Sequence, residues 1–310
     1  MSAPEKVLYW SGTMLDSAPN LDTQLKATAS SGFTIIMLWS LHVNKPIPDM
    51  DIVLGDLTWN DTLLVSTRTG KRVFDPDGLL KKLGGRLNTL LAQGSKVERV
   101  CFSIGSEGTD FATIKELYST PQGQELLLKN FALLLDNLKK ITGFDFDVED
   151  CFDVPSTAWL AAQLASKCHV TFCPSGSLDD FWEPCLESLF QSQKKQPVEW
   201  CNLQCYSGGS FEDPLTWAAS IEGNKKENGV TSPTTFIVPG YAANNEVPGK
   251  PSDGPGICPS VFTDRLTPYK GKVGGAFVWN SQHIFEDAEP CNGKIATAQE
   301  YAAAIDTALK

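Results

Sequence analysis

The chain has 310 residues, 42% of them hydrophobic and 20% charged, the balance of a globular protein with room for one large domain or two medium ones. A formal net charge of −11 opposes nonspecific binding to nucleic acid and docking on anionic membranes, because both partners carry the same sign. The longest clean apolar run, residues 33–39, is far too short to span a bilayer, so no membrane association is expected.

The stretch "MSAPEKVLYWSG" has no basic region followed by an apolar one. No signal peptide is read there, and a cytoplasmic location is expected, or secretion if a leader has been removed. A first strand is expected at 6–10, a helix at 21–31 and a second strand, "FTIIMLW", at 33–39. The excursion 41–77 follows, and within it "LTWNDTLLVSTRTGKRVF" reads as a β-hairpin carrying Trp59. A helix over 78–93 leads to strand 99–105, and two helices over 111–140 lead to strand 143–149. Strands 169–174, 200–206, 235–240 and 274–280 then alternate with helices 155–166, 179–193, 214–227, 259–269 and 297–309. A second excursion, 241–258, is rich in Pro, Gly and Asn.

Eight strands each followed by a helix is the count of an α/β protein of the (β/α)8 TIM barrel class, here as a single domain over 1–310. A doubly wound sheet competes, but "YWSGTML" after the first strand has one glycine where a dinucleotide fingerprint needs three. A typical barrel takes about 250 residues, which leaves roughly 60 for excursions. Both excursions leave the carboxyl ends of strands, where barrel sites are built, so 41–77 is expected to wall the substrate cleft.

The nine cysteines form an odd count without metal-ligand spacing, and Cys101, Cys173, Cys201 and Cys205 fall inside strands. Mostly free, packed thiols are expected. His42, His169 and His283 are scattered, so neither a metal nor another cofactor is expected.

The stretch "GFDFDVED" (143–150) asks for a chemical explanation. Alternation in a strand puts Phe144, Phe146 and Val148 on one face and Asp145, Asp147 and Glu149 on the other. Three carboxylates on one inward face repel and lose hydration. These inward acids have no obvious lysine or arginine partner to offset this. An ion pair or metal site in the barrel core is the bland reading; a catalytic carboxylate set is the stronger one. Glu149 would sit at the mouth, kept protonated by its neighbours to donate to a leaving oxygen.

At these residues the chain resembles the family-18 glycoside hydrolases, whose fourth-strand signature is Asp-Gly-x-Asp-x-Asp-x-Glu. Gly143, Asp145, Asp147 and Glu149 match it, and Thr142 replaces its first Asp. "FSIGS" (102–106) is similar to the family's Ser-x-Gly-Gly, "LQCYS" (203–207) to its Gln-x-Tyr-Asn, and "GGAFVWN" to its last strand. The closest motifs are those of plant and fungal single-domain chitinases.

The resemblance implies retaining, substrate-assisted hydrolysis of β-1,4-linked N-acetylglucosamine glycans by a monomer acting on a soluble oligosaccharide or glycan. Glu149 would be the general acid. The substrate's own 2-acetamido group would be the nucleophile, an arrangement outside the usual two-carboxylate scheme. Asp147 would orient that group, Asp145 would set the proton state of Asp147, and Tyr206 would bind the acetamido oxygen. Trp279 would floor the sugar subsite, with Gln204, Ser103, Tyr9 and Trp10 as further substrate-binding positions. Trp39, Trp59 and Tyr241 are candidates for additional walls. Ser207, where the family has Asp or Asn, leaves the sugar open. Two other readings stay open: a sugar-binding protein that has lost catalysis, and an enzyme of different chemistry on the same barrel.

Overall fold

The computed structural model describes residues 3–12, 14–15, 20–106, 108–176, 178–207, 212–243, 257–288, 290–291 and 293–310. Its strands are β1 (Glu5–Ser11), β2 (Ile35–Val43), β3 (Leu57–Trp59), β4 (Thr62–Ser66), β5 (Val73–Phe74), β6 (Arg99–Ser106), β7 (Ile141–Val148), β8 (His169–Phe172), β9 (Cys201–Gln204), β10 (Ile237–Ala242) and β11 (Gly275–Trp279). Parallel pairing runs β1–β2–β6–β7–β8–β9–β10–β11, and β11 pairs back to β1. This is a closed eight-stranded (β/α)8 barrel, with β3, β4 and β5 added antiparallel to the far end of β2.

Alternation sorts each strand between two cores. Val7, Tyr9, Ile35, Met37, Cys101, Cys173, Trp200, Val238 and Phe277 fill the barrel interior. Their neighbours in sequence face outward into the larger layer between sheet and helices, where Phe144 meets Phe131 and Phe146 meets Phe111. Gly240 is required here: a Cβ at this position would stand 2.1 Å from the Phe277 ring that plugs the barrel. The helices begin where the sequence punctuates them. Thr120, Asp153 and Asp213 each accept backbone N–H groups with a proline in the first turn, and Thr297 with Glu300 forms a capping box.

The 41–77 excursion departs from expectation. Its hairpin exists, with Leu41 opposite Trp59 and Val43 opposite Leu57. Yet Leu57, Trp59, Leu64 and Val65 are fully buried in the outer core, and the Trp59 ring packs edge-on against Phe102 at 5.5 Å. This segment is chiefly structure rather than cleft wall, because its apolar face folds back over β2 and β6. We therefore expect Trp59→Ala to cost about 3–5 kcal/mol, the usual range for truncating a buried aromatic. Chemical denaturation that shows less than about 1 kcal/mol would return Trp59 to the cleft.

Tyr241 is also a core residue. It is buried within β10 against Phe262, with the Arg265 guanidinium over its ring. The rest of the second excursion, 244–256, lies outside the described residues. The thiols are mostly free, with one exception: Cys258 and Cys291 form a disulfide. Among the described residues no helix is long and apolar enough to cross a membrane.

Candidate active site

Strand register builds the site in layers. Pairing sets Ser103 beside Asp145 and Asp145 beside Thr171, so three inward side chains meet at one level. Asp145 is fully buried and accepts four hydrogen bonds. Tyr9 Oη (2.7 Å) and Ser103 Oγ (3.1 Å) donate to one oxygen, Thr171 Oγ1 (2.6 Å) and Asn202 Nδ2 (3.0 Å) to the other. Trp200 Nε1 donates to Asn202 Oδ1 at 2.9 Å and so turns the amide donor toward the acid. Burial pushes the proton affinity of Asp145 up, and the four donors push it back. Burial is the larger effect, so Asp145 holds a proton more readily than an ordinary aspartate, and the four donors offset part of the cost of burying its charge.

Asp147 stands one layer higher, also buried, beside Gly105 of β6. Gly105 has φ +97°, and a Cβ there would lie 2.4 Å from the Asp147 carbonyl oxygen. A larger residue would displace the acid. Trp39 Nε1 donates to Asp147 Oδ2 at 3.3 Å, and Gln204 Nε2 donates to Oδ1 at 3.0 Å. The same Gln204 nitrogen lies 3.2 Å from Glu149 Oε1 and so spans both acids. Burial first, then the charges of Glu149 and Asp145, raise the proton affinity of Asp147 well above the aspartate range. A carboxyl–carboxylate hydrogen bond to Glu149 adds to the effect. Neighbouring carboxylates of this kind share a proton as a unit.

Glu149 follows the last residue of β7 and is half-buried at the barrel mouth. Asp150, next in sequence, accepts the backbone N–H groups of Phe111 (3.2 Å) and Ala112 (2.9 Å) at the start of helix Asp110–Tyr118. The turn carrying Glu149 is thus pinned to a helix N-terminus. Above the acids lies an aromatic cup. Trp39 meets Trp279 edge-on at 5.0 Å, and Tyr206 stacks on Trp279 at 6.0 Å. Among the described residues no ion pair involves Asp145, Asp147 or Glu149. No group of three or more His, Cys, Asp or Glu side chains there could hold a metal ion.

The structure brings together Asp145, Asp147, Glu149, Gln204, Tyr206 and Trp279. Other sequence-predicted positions move to new roles. Tyr9 and Ser103 are completely buried on Asp145, below the reach of any sugar, and they support that acid rather than bind substrate. Trp10 faces the opposite way from Tyr9. It packs outside the barrel against Phe285 and is no subsite residue. Thr142, at the base of β7, touches Val100 O and Cys101 Sγ and none of the acids. Thr171, Asn202 and Cys173 were missed, although each is an inward position; Asn202 and Thr171 lie two residues before Gln204 and Cys173. Cys173 Sγ sits 3.6 Å from Gln204 Nε2, directly beneath the pair.

No protein-family model and no curated protein matches the sequence. Solved structures do match in fold. A fungal endo-beta-N-acetylglucosaminidase from glycosyl hydrolase family 18 superposes with a TM-score of 0.63 at 20% identity, covering 100% of this chain and 99% of that one. The chitinase ChiC from Aspergillus fumigatus gives 0.60 at 19% identity, with 97% and 98% covered. A family GH18 chitinase from Cycas revoluta, in complex with allosamidin, gives 0.59 at 15% identity, with 98% and 99% covered. From end to end, the chain has the barrel fold of these family-18 glycoside hydrolase structures.

Proposed function

We propose that the chain is a family-18-type glycoside hydrolase that cleaves β-1,4-linked N-acetylglucosamine glycans with retention of configuration. The observation that carries this reading is the inward ladder Asp145–Asp147–Glu149, bridged at its top by Gln204 and, among the described residues, engaged in no ion pair. A core built for stability alone would not stack three acids on one strand. The relatives in fold point the same way: Cycas revoluta chitinase structures were solved with (GlcNAc)3 and with allosamidin.

Burial, and then the charges of Glu149 and Asp145, favour a proton on Asp147, which passes it to Glu149. Glu149 delivers it to the glycosidic oxygen, whose bond to the anomeric carbon breaks. The substrate's acetamido carbonyl oxygen closes on that carbon from the opposite face, forming an oxazolinium-like intermediate. Asp147, now an anion, accepts a hydrogen bond from the acetamido N–H and balances the positive charge. Water, deprotonated by Glu149, then opens the ring and restores both the acetamido group and the acid. Trp279 floors the sugar, and Tyr206 donates to the acetamido oxygen.

Substrate chemistry tests the scheme. Oligomers whose 2-acetamido group is replaced by a free amine or a hydroxyl should turn over at least about 10²-fold more slowly, since they lack the positioned nucleophile. The first product seen by proton NMR should be the β-anomer. Equal turnover of glucose oligomers, or an α-anomeric first product, refutes substrate assistance.

A further inference from the structure

Asn60 lies at the tip of the β3–β4 hairpin, in the two-residue turn between Trp59 and Thr62, with φ +48°. Its partners all belong to one short piece of β2. The backbone N–H of Asn60 donates to Ser40 O at 3.0 Å. Its Nδ2 donates to Trp39 O, and its Oδ1 accepts from Ser40 N, each at 3.4 Å. The pairing of β2 with β6 slips between Trp39 and Leu41, so the peptide between Trp39 and Ser40 sits at a bulge. Asn60 supplies the partners that this peptide needs there.

The opposite side of Ser40 is held as well. Its Oγ bonds His42 Nε2 at 3.0 Å, and His42 Nδ1 bonds Asp110 Oδ2 at 3.1 Å. Asp110 also accepts the N–H of Val43 at 2.7 Å. The fully buried Trp59 ring anchors the hairpin on which Asn60 rides. Asparagine suits the place on two counts. It tolerates the left-handed backbone better than most residues. Its amide also offers a donor and an acceptor together, as a carbonyl beside an N–H demands.

What this bulge aims is the Trp39 indole, whose Nε1 donates to Asp147. We propose that Asn60 is a positioning residue: by clamping the Trp39–Ser40 peptide it holds the indole N–H on Asp147, and so governs the proton that Asp147 shares with Glu149. The added hairpin therefore acts on the reaction from outside the barrel, without touching substrate. This inference rests on the function proposed above for the acid pair. The titratable groups facing Asp147 are Asp145, Glu149, Tyr9 and Cys173; the Trp39 donor is a neutral group among them that favours the charged form.

The test uses the whole chain with the variants Asn60→Gly, Asn60→Asp and Trp39→Phe. Glycine accepts φ +48° without strain and removes both side-chain bonds, whereas aspartate keeps the acceptor for Ser40 N and loses the donor. Asn60→Gly should lower kcat on an N-acetylglucosamine oligomer, which has a sugar leaving group, at least about tenfold with KM little changed, a modest loss for a misplaced group. It should also move the alkaline limb of the pH profile upward, as Trp39→Phe does, because losing the indole donor favours the protonated form of Asp147. The double variant should be no worse than Trp39→Phe alone, and Asn60→Asp should fall between Asn60→Gly and the parent. Wild-type kcat and pH profile in Asn60→Gly, or additive losses in the double variant, overturn the proposal.

A readout free of turnover separates this from the broader reading. The Trp39 indole proton, assigned in a 1H–15N spectrum by its loss in Trp39→Phe, should titrate with the acid pair, and that titration should shift in Asn60→Gly. An unchanged titration overturns the role of Asn60 even in an active enzyme. A shifted one supports it even if no N-acetylglucosamine substrate is cleaved, in which case the hydrolase reading alone fails. Should Asn60→Gly not fold, the same spectrum of Asn60→Asp decides.

Discussion

Glu149→Gln should lower turnover of N-acetylglucosamine oligomers by about 10³-fold or more, at the upper end of what a general acid contributes. The amide preserves shape and can still meet Gln204, but it has no proton to give to the leaving oxygen. Because Glu149 lies past the end of β7 and is only half-buried, the exchange should leave the thermal midpoint nearly unchanged. Leaving-group dependence sharpens the test. An aryl glycoside whose leaving oxygen needs little protonation should lose far less activity than a sugar leaving group. Binding, read by calorimetry with a chitin oligomer, should survive. Full activity in Glu149→Gln would remove the site assignment altogether, and an equal loss on aryl and sugar leaving groups would mean that Glu149 is not the acid.

The second large effect belongs to Asp147→Asn, which should cut kcat by about 10²-fold or more through loss of the charge opposite the cationic intermediate. Its effect on stability should run the other way. Burial and two neighbouring acids raise the proton affinity of Asp147 in the folded chain. The folded state therefore holds this proton at pH values where the unfolded chain has released it. The stability that this group contributes is complete in acid, below the ordinary aspartate range. It is lost as pH rises through the raised folded value. Asparagine suffers no such loss. The variant should melt several degrees higher than the parent at neutral pH, with the gap closing on acidification. A lower melting point at neutral pH would show that the Asp147 charge is stabilised by its two donors after all. A gap that widens in acid would contradict the direction of the shift.

Much of this molecule was legible from local pattern. Alternation along "GFDFDVE" placed the acids inward and the two phenylalanines outward, and the structure has Phe144 on Phe131 and Phe146 on Phe111. The helices expected over 155–166, 214–227 and 297–309 lie close to the observed Val154–Ala165, Pro214–Gly223 and Ala298–Leu309. Strand alternation and helical amphipathicity depend on residues a few positions apart, so a sequence carries them intact. The same rule, applied to β1, separates Tyr9 from Trp10. Reading both as substrate contacts neglected that adjacent strand residues face opposite sides.

The sequence by itself determined the barrel, the inward acid ladder and the strand ends that meet around it, because these follow from alternation and element order. Only the tertiary structure decided which neutral groups hold each acid. Asp145 draws donors from four other strands, through Tyr9, Ser103, Thr171 and Asn202. Their common level depends on register, which the closure of the whole barrel imposes. Only the fold, too, turned Trp59 into core and set Asn60 against the Trp39–Ser40 peptide. The hairpin's apolar face has no preferred partner until β2 and β6 are paired and a surface exists on which to bury it.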